Sequence, residues 1–134
     1  MKLSVDKLEI LRDKVLVFDG FSSNEILILL EHAKRRVLSD KDIIVEEGQT
    51  ASSMSILISG QAGVQRTHLG NLETIAILEP GATIGEMAML DAAPRSARVV
   101  AKGDGILLEI GPNLMDLVDS QVLHKLYRNL SIIL

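Results

Sequence analysis

The residues whose side chains are best suited to binding a ligand lie within one short segment, from Gly85 to Ala97. Gly85 would let backbone approach a ligand closely, and amides that open a helical turn directly after it would point at an anion. Arg95 carries a planar fork of donors that suits phosphate oxygens, and Ser96 adds a hydroxyl donor. Glu86 accepts hydrogen bonds when ionised, so its natural partner is a ligand hydroxyl such as that of a ribose. The segment therefore predicts a ligand in which a phosphate lies beside a sugar hydroxyl.

Each of these residues also has an ordinary structural role when it is taken alone. Glu86 by itself is typical of a solvated turn. Arg95 by itself is typical of a surface side chain that forms an ion pair, here with Asp91 or Glu86. The ligand-binding hypothesis depends on their combination within one segment.

The chain of 134 residues is long enough to form a single domain, 1–134, with its own hydrophobic core. Helices and strands predicted on either side of the segment must hold it in place. Within residues 1–36, the N-cap and acid of Ser22–Glu25 predict a helix over Ser23–Ala33. The basic run Lys34–Arg36 that follows is interpreted as a solvated helix end. Residues 37–110 alternate short β-prone runs with turn residues, which favours an antiparallel barrel or sandwich.

Six strands and one hairpin are predicted within residues 37–110. The strands are Ile43–Val45, Met54–Ser59, Gly63–Thr67, Leu72–Leu78, Arg98–Ala101 and Ile106–Ile110. A hairpin turn is predicted around Gly70-Asn71, because glycine and asparagine tolerate left-handed backbone. An acidic cluster is interpreted as the solvated rim of a strand, and its members are Asp40, Asp42, Glu46 and Glu47.

Helical patterns occupy both ends of the chain, weakly at 8–16 and more strongly at 111–134. The C-terminal stripes are Leu114, Leu117 and Val118, followed by Leu123, Leu126, Tyr127, Leu130, Ile133 and Leu134. The second stripe either packs on the barrel or pairs with its copy in another chain. We favour packing with weak self-association, because the helix is short for a stable coiled coil. The pattern stops without a cap, which is typical of a truncated chain, although a naturally short form would end in the same way.

Composition argues against several classes of protein. Acids outnumber bases 18 to 14 and the formal net charge is −4, so no nucleic-acid binding is expected of this chain alone. The N-terminus lacks a signal-peptide core and the apolar run Ile26–Leu30 is too short to cross a bilayer, so we expect a soluble, cytoplasmic protein without a membrane partner. There is no cysteine and no nucleophile–base pair, and the histidines are far apart at His32, His68 and His124. We therefore predict no metal, no cofactor and no enzymatic activity.

The segment 85–97 resembles the phosphate-binding cassette of the cyclic nucleotide-binding domain family. That family includes the catabolite activator protein, the regulatory subunits of cyclic-AMP-dependent protein kinase and cyclic-nucleotide-gated channels. The matching residues are Gly85-Glu86-x-Ala88-x-Leu90 and Pro94-Arg95-Ser96-Ala97. Further stretches resemble the family in the same order, so that the resemblance covers about 18–134; they are Phe18–Glu25, Ile43–Gly48 and Ile56–Val64. One departure is Ile84, where the family often has phenylalanine, and this apolar exchange should preserve the pocket.

The resemblance implies a mainly β fold with flanking α-helices. It would be a double-stranded β-helix, or jelly-roll, barrel at 37–110 with N-terminal helices at 1–36 and C-terminal helices at 111–134. Glu86 would bind the ribose 2′-hydroxyl, Arg95 the cyclic phosphate and Ser96 a phosphate oxygen. The other implied ligand-binding positions are Gly85, Met87, Ala88 and Ala97 in the cassette, with Val64 and Ile75 as apolar walls.

The function implied by the resemblance is a sensor that binds a cyclic nucleotide, performs no chemistry on it and repositions its flanking helices. Cyclic AMP is favoured over cyclic GMP, because Ser96 occupies a position where threonine is frequent in cyclic-GMP binders. The alternative is the effector-binding domain of a transcription regulator whose DNA-binding module is absent from this chain. An enzyme on a jelly-roll scaffold is the least supported hypothesis. The implied partners are a cyclic nucleotide, an unknown effector protein or domain, and a second copy bound through the C-terminal helix.

Overall fold

The computed structural model describes residues 13, 15, 18–49, 53–85, 97–111, 116 and 119–133. The helical patterns predicted near 8–16 and 114–118 lie almost entirely outside these residues. Among the described residues, no helix is both long enough and apolar enough to span a bilayer.

The first described helix, α1 (Ser23–Glu31), begins at the predicted capping box. The Ser22 hydroxyl accepts a hydrogen bond from the Glu25 amide at 3.1 Å, and the Glu25 carboxylate accepts one from the Ser22 amide at 2.9 Å. This reciprocal pair satisfies two amides that the start of a helix leaves without intrahelical partners. The buried face of α1 consists of Ile26, Leu29 and Leu30. The helix ends two residues before the predicted boundary at Ala33.

Six antiparallel strands and a second helix follow α1 in the part of the chain that the structure describes. The strands are β1 (Lys34–Leu38), β2 (Ile43–Val45), β3 (Met54–His68), β4 (Asn71–Leu78), β5 (Thr83–Ile84) and β6 (Arg98–Ile110), and the helix is α2 (Ser120–Ile133). The strands pair in the order β1-β6-β3-β4, while β2 joins β6 and β5 joins β3. Each of the other four strands therefore pairs with one of the two long strands, β3 or β6.

Both long strands bend partway along their length, and the bend divides the six-stranded sheet into two halves, which are called sheet one and sheet two. Between Ser59 and Gln61 of β3, the partner position on β6 moves from Ile106 to Lys102, and Gly60 has a φ of +84° at this bend. Residues 54–59 and 105–110 form sheet one with β1 and β5. Residues 61–68 and 98–102 form sheet two with β2 and β4.

Apolar side chains cover both faces of sheet one, because alternate residues of a strand point to opposite faces. The outer cluster joins sheet one to the helices, and its strand members are Met54, Ile56, Leu108 and Ile110. The inner cluster joins the two sheets, and its members are Leu38, Leu57, Ala62, Ile84, Val99, Ala101 and Leu107. The chain is thus a β-barrel with an apolar interior and helices packed on the outside of sheet one, which confirms the predicted mainly β, jelly-roll architecture.

The basic run Lys34–Arg36 does not end a helix, so that prediction was wrong. It forms most of β1, where Lys34 lies opposite Glu109 of β6. The Arg36 guanidinium lies 3.5 Å from the Glu109 carboxylate and donates to the Ile43 carbonyl at 2.9 Å. Opposite charges on neighbouring strands stabilise their pairing, and the sequence near β1 contains no sign of this distant partner.

Two pairs of predicted strands are each a single continuous strand. Met54–Ser59 and Gly63–Thr67 both lie within β3, and Arg98–Ala101 and Ile106–Ile110 both lie within β6. The residues between the predicted strands include Gly60 and Gly103, which have positive φ values and lie within the continuous strands β3 and β6. β1 and the two-residue β5 were not predicted.

The predicted hairpin joins β3 to β4, but its turn begins one residue earlier than expected. His68 pairs with Asn71, so the two turn residues are Leu69 and Gly70. Their φ values are +51° and +82°, and two consecutive positive values are typical of the type I′ turn of a tight hairpin. Asn71 is therefore the first residue of β4.

The bend at Gly60 allows a sharp test of the barrel geometry. A Cβ atom at this position would lie 2.5 Å from the Asp104 carbonyl oxygen and 2.9 Å from the Gly105 Cα. Gly60→Ala should lower the free energy of unfolding by about 3 kcal/mol, since left-handed strain and a backbone clash add.

Gly48→Ala is the matched control for this change. Gly48 has a nearly equal φ of +82° but nothing within 4 Å of the added atom, so its loss should be only about 1 kcal/mol. Urea denaturation of both variants measures the difference, and equal losses would contradict the close contact between the two bends.

Candidate functional site

The two ends of the predicted binding segment lie on different sheets. Gly85 directly follows β5 and sheet one, with a φ of +74° that favours glycine. Ala97 directly precedes β6 and sheet two, and both residues are half-buried. The other cassette residues of the prediction lie outside the described residues; they are Glu86, Met87, Ala88, Arg95 and Ser96.

The Gly85 end is held by the short strand β5 and the turn before it. Ile84 pairs with Ser55 of β3 and is buried between the sheets. The Leu57 amide donates to the Ala82 carbonyl at 2.9 Å, and the Gly81 amide donates to the Leu57 carbonyl at 2.7 Å. The position of Gly85 is therefore set by backbone hydrogen bonds to the centre of sheet one.

The Ala97 end lies beside an apolar row that crosses the whole of sheet two. Val99 of β6 is flanked by Val64 of β3 and Val45 of β2, and Ala76 of β4 lies beyond Val64. Neighbours directly opposite one another share a face of the sheet, and Val64 and Val45 pack against the inner cluster. The structure thus places Val64 on the barrel's inner wall, close in register to the point where the segment enters β6.

Ile75, the second predicted wall residue, lies at an irregular position on β4. Thr74 pairs with Gln65 and Ala76 pairs with Val64, so Ile75 is the extra residue of a β-bulge. Its side chain is 51% exposed. The structure therefore places Ile75 on the same strand as the apolar row but leaves half of its surface accessible.

A bidentate ion pair beside the Ala97 end was missed by the sequence analysis. The Arg98 Nε donates to one oxygen of the Glu46 carboxylate at 2.7 Å, and its Nη2 donates to the other oxygen at 3.1 Å. The hydrogen bond from Arg98 lowers the pKa of Glu46 below its ordinary value. No local pattern indicated this contact, because the two residues come from opposite ends of the barrel sequence.

The acidic cluster interpreted as a solvated rim has more specific contacts. Asp40 accepts a hydrogen bond from the Gly103 amide at 2.7 Å, and Asp42 accepts one from the Ser39 amide at 2.8 Å. Glu47 accepts one from the Thr67 hydroxyl at 3.3 Å. Asp40 and Asp42 thus accept backbone amides at turns, and Glu47 joins the turn after β2 to β3.

The C-terminal helix α2 is fastened to the start of α1 by polar contacts. The amide of Asn129, a side chain only 2% exposed, donates to the Asp19 carbonyl at 2.7 Å. The Lys125 ammonium donates to the Glu25 carboxylate at 2.6 Å. Ser22 also binds Glu25, so one carboxylate both caps α1 and holds α2.

The apolar face of α2 packs on the barrel, as the sequence analysis favoured. Val122 and Leu126 are buried in the outer cluster, whereas Leu123 is half-buried and Tyr127 is 43% exposed. Among the residues of α2 whose burial is described, the inward face runs through Val122, Leu126 and Asn129. Asn129 is a polar residue on this face, where its amide donates to the Asp19 carbonyl.

The three histidines lie on separate elements and are exposed: His32 follows α1, His68 ends β3 and His124 lies on α2. Among the described residues, no group of three or more His, Asp or Glu side chains is arranged to hold a metal ion.

Comparison with known proteins connects this geometry to a family. Residues 35–119, more than half of the chain, match the family model of the cyclic nucleotide-binding domain. The match begins at the first strand and ends at the start of the C-terminal helix, so it includes both sheets and the whole segment between Gly85 and Ala97.

Individual relatives show the same similarity. The chain is 36% identical over 95 residues to the cyclic AMP receptor protein of Thermus thermophilus, covering 70% of this chain and 44% of that protein. It is 37% identical over 87 residues to a cGMP-dependent protein kinase of Eimeria tenella, covering 65% of this chain and 8% of that protein. The solved structure of the Thermus thermophilus catabolite activator protein superposes with a TM-score of 0.79 at 31% identity, covering 88% of this chain and 55% of that chain. The chain spans less than half the length of the curated relatives it matches.

The Glu25–Lys125 contact predicts a pH dependence of stability. The Lys125 ammonium, and then the Ser22 amide, hold the pKa of Glu25 below its ordinary 4.5. The ionised carboxylate therefore stabilises the fold above pH 4.5, and this contribution disappears as the pH falls through the folded-state pKa. Glu25→Gln should lower the free energy of unfolding by about 1 kcal/mol at neutral pH.

Urea denaturation at neutral pH and well below pH 4.5 checks this prediction. The difference between the parent and Glu25→Gln should shrink in acid, because both side chains are then uncharged. Glu31→Gln, at an exposed position in the same helix, serves as the control and should change little. A difference that persists unchanged in acid would show that the carboxylate charge does not hold α2.

Proposed function

Because the chain belongs to the cyclic nucleotide-binding domain family, we propose that it binds a cyclic nucleoside monophosphate between its two sheets. One observation carries the proposal beyond family membership. The segment with the acid, arginine and serine is fixed at Gly85 on sheet one and at Ala97 on sheet two, beside an apolar row. A ligand with a charged phosphate and an apolar base needs both kinds of surface in one place.

In this proposal, different residues of the segment bind different chemical groups of the ligand. Arg95 provides two parallel donors to the cyclic phosphate, and Ser96 donates one more hydrogen bond. The backbone after Gly85 donates amides to the same anion, with Met87 and Ala88 in this part of the segment. Glu86, which only accepts when ionised, takes the ribose 2′-hydroxyl.

The apolar part of the ligand lies against sheet two in this proposal. Val64 forms the wall, and the small side chain of Ala76 beside it leaves room for a ring. Ile75 is half-exposed at the bulge of the next strand, so a bound base would cover apolar surface that water otherwise contacts. Removing such surface from water contributes about 25 cal/mol per Å².

A single position favours adenine as the base. Ser96 follows the arginine at a position where threonine is frequent in the cyclic-GMP binders of the family. The relatives do not decide between the two nucleotides, because one is named as a cyclic AMP receptor and another as a cGMP-dependent kinase. We propose cyclic AMP as the preferred ligand and cyclic GMP as the competitor to test.

The proposed role is that of a non-catalytic, cytoplasmic sensor. Ligand binding would reposition α2, which rests on the barrel and on the start of α1, if its contacts differ between the free and bound states. The partner that receives the signal is an effector protein or domain, and a second copy bound through the C-terminal helix is a further proposed partner. The alternative, an effector domain of a transcription regulator, adds a DNA-binding module to the same sensor. Residues 35–119 match the nucleotide-binding domain alone.

Arg95→Ala tests the assignment of the phosphate site. Breaking a buried pair between arginine and an anion costs about 2–5 kcal/mol, which corresponds to a roughly 30- to several-thousand-fold loss of affinity for cyclic AMP. Isothermal titration calorimetry with cyclic AMP and cyclic GMP measures it.

Arg35→Ala is the matched control, because Arg35 is an exposed arginine on β1. This variant should bind cyclic AMP as the parent does. Unaltered binding by Arg95→Ala would refute the site, and turnover of the nucleotide by the parent would refute the non-catalytic role.

A further inference from the structure

The ion pair between Glu46 and Arg98 lies where the proposed binding segment rejoins sheet two. Arg98 is the residue directly after Ala97 and the first residue of β6. Its two hydrogen bonds to Glu46, at 2.7 and 3.1 Å, fix the plane of the guanidinium as well as its position. The orientation of the chain at Ala97 is thereby coupled to the turn that follows β2.

The turn that contains Glu46 is itself closely held. The Glu46 amide donates to the Gln49 side chain at 3.1 Å, and the Gln49 amide donates back to the Glu46 carbonyl at 3.1 Å. The next residue, Glu47, accepts a hydrogen bond from Thr67 near the end of β3. The backbone that carries the Glu46 carboxylate is therefore held by hydrogen bonds within its own turn.

We propose that the Glu46–Arg98 pair positions the Ala97 end of the binding segment for the cyclic nucleotide, an inference that rests on the proposed function. Both are positioning residues, which act through the backbone at Ala97 and do not touch the ligand. A segment held near its bound arrangement loses less conformational freedom on binding, so its affinity is higher.

The fold does not require this pair. The start of β6 is already bonded through its backbone to β2 and β3, and Val99 is buried in the inner cluster. The Arg98 and Glu46 side chains are 31% and 43% exposed, and exposed ion pairs contribute little to global stability. Their removal should therefore affect ligand affinity more than the melting temperature.

The test compares three variants by calorimetric titration with cyclic AMP and by thermal unfolding. Arg98→Ala and Glu46→Ala should each weaken binding by about fivefold, with little change in the melting temperature. The charge-exchanged double variant, Glu46→Arg with Arg98→Glu, should recover most of the affinity because it restores a pair at the same place. Arg36→Ala is the control: it removes a similar half-exposed pair, with Glu109, from sheet one and should bind as the parent does.

The three variants distinguish a positioning role from a direct effect of charge on the ligand. If Glu46→Ala strengthens binding while Arg98→Ala weakens it, Arg98 acts through its charge and the positioning role is wrong. Parental affinity in both single variants, or no recovery in the double variant, also overturns the proposal. If the parent itself does not bind cyclic AMP or cyclic GMP, the proposed function fails, and that result is distinct from failure of the variants alone.

Discussion

The fold depends on the bends of β3 and β6, which lie opposite one another. Because of these bends, each of the two strands contributes to both sheets. At Gly60 the bend brings the backbone so close to Asp104 and Gly105 that no side chain fits between them. Because of this bend, the pairing between β3 and β6 continues into the second sheet after a register shift. The apolar residues on the inner side of both halves then face one another and form a single interior. A straight β3 would leave this interior open to water.

The placement of the candidate site is a consequence of the same bend. β5 is bonded to the first half of β3, and the start of β6 is bonded to its second half. The segment between them is therefore anchored on both sheets, next to the barrel interior. The Arg98–Glu46 pair lies beside the Ala97 end of the segment, and the apolar row from Val45 to Ala76 crosses sheet two next to it.

Much of the fold could be predicted where a pattern is local. The capping box at Ser22 predicted α1, and β-prone runs predicted β2 and most of β4 almost to the residue. The errors occur where a distant partner decides the structure. Lys34–Arg36 lies in a strand that pairs with β6, more than sixty residues further along the chain, and Asn129 of α2 is buried where it donates to the Asp19 carbonyl. For the site, the family resemblance predicted the segment 85–97 with Val64 and Ile75, but the Glu46–Arg98 pair has no sequence signature. All of these residues stay predictions as ligand contacts.

The most direct test of nucleotide binding at this place is an NMR titration of ¹⁵N-labelled protein with cyclic AMP, with 5′-AMP as the control. If the ligand lies between the two anchored ends, amide signals of Gly85, Ala97 and Val64 should shift progressively to saturation with cyclic AMP. 5′-AMP lacks the cyclic phosphate, so it should produce much smaller shifts at equal concentration. Shifts confined to α2, equal shifts with both nucleotides, or no shifts at a large excess of cyclic AMP would contradict a cyclic-nucleotide site between the sheets.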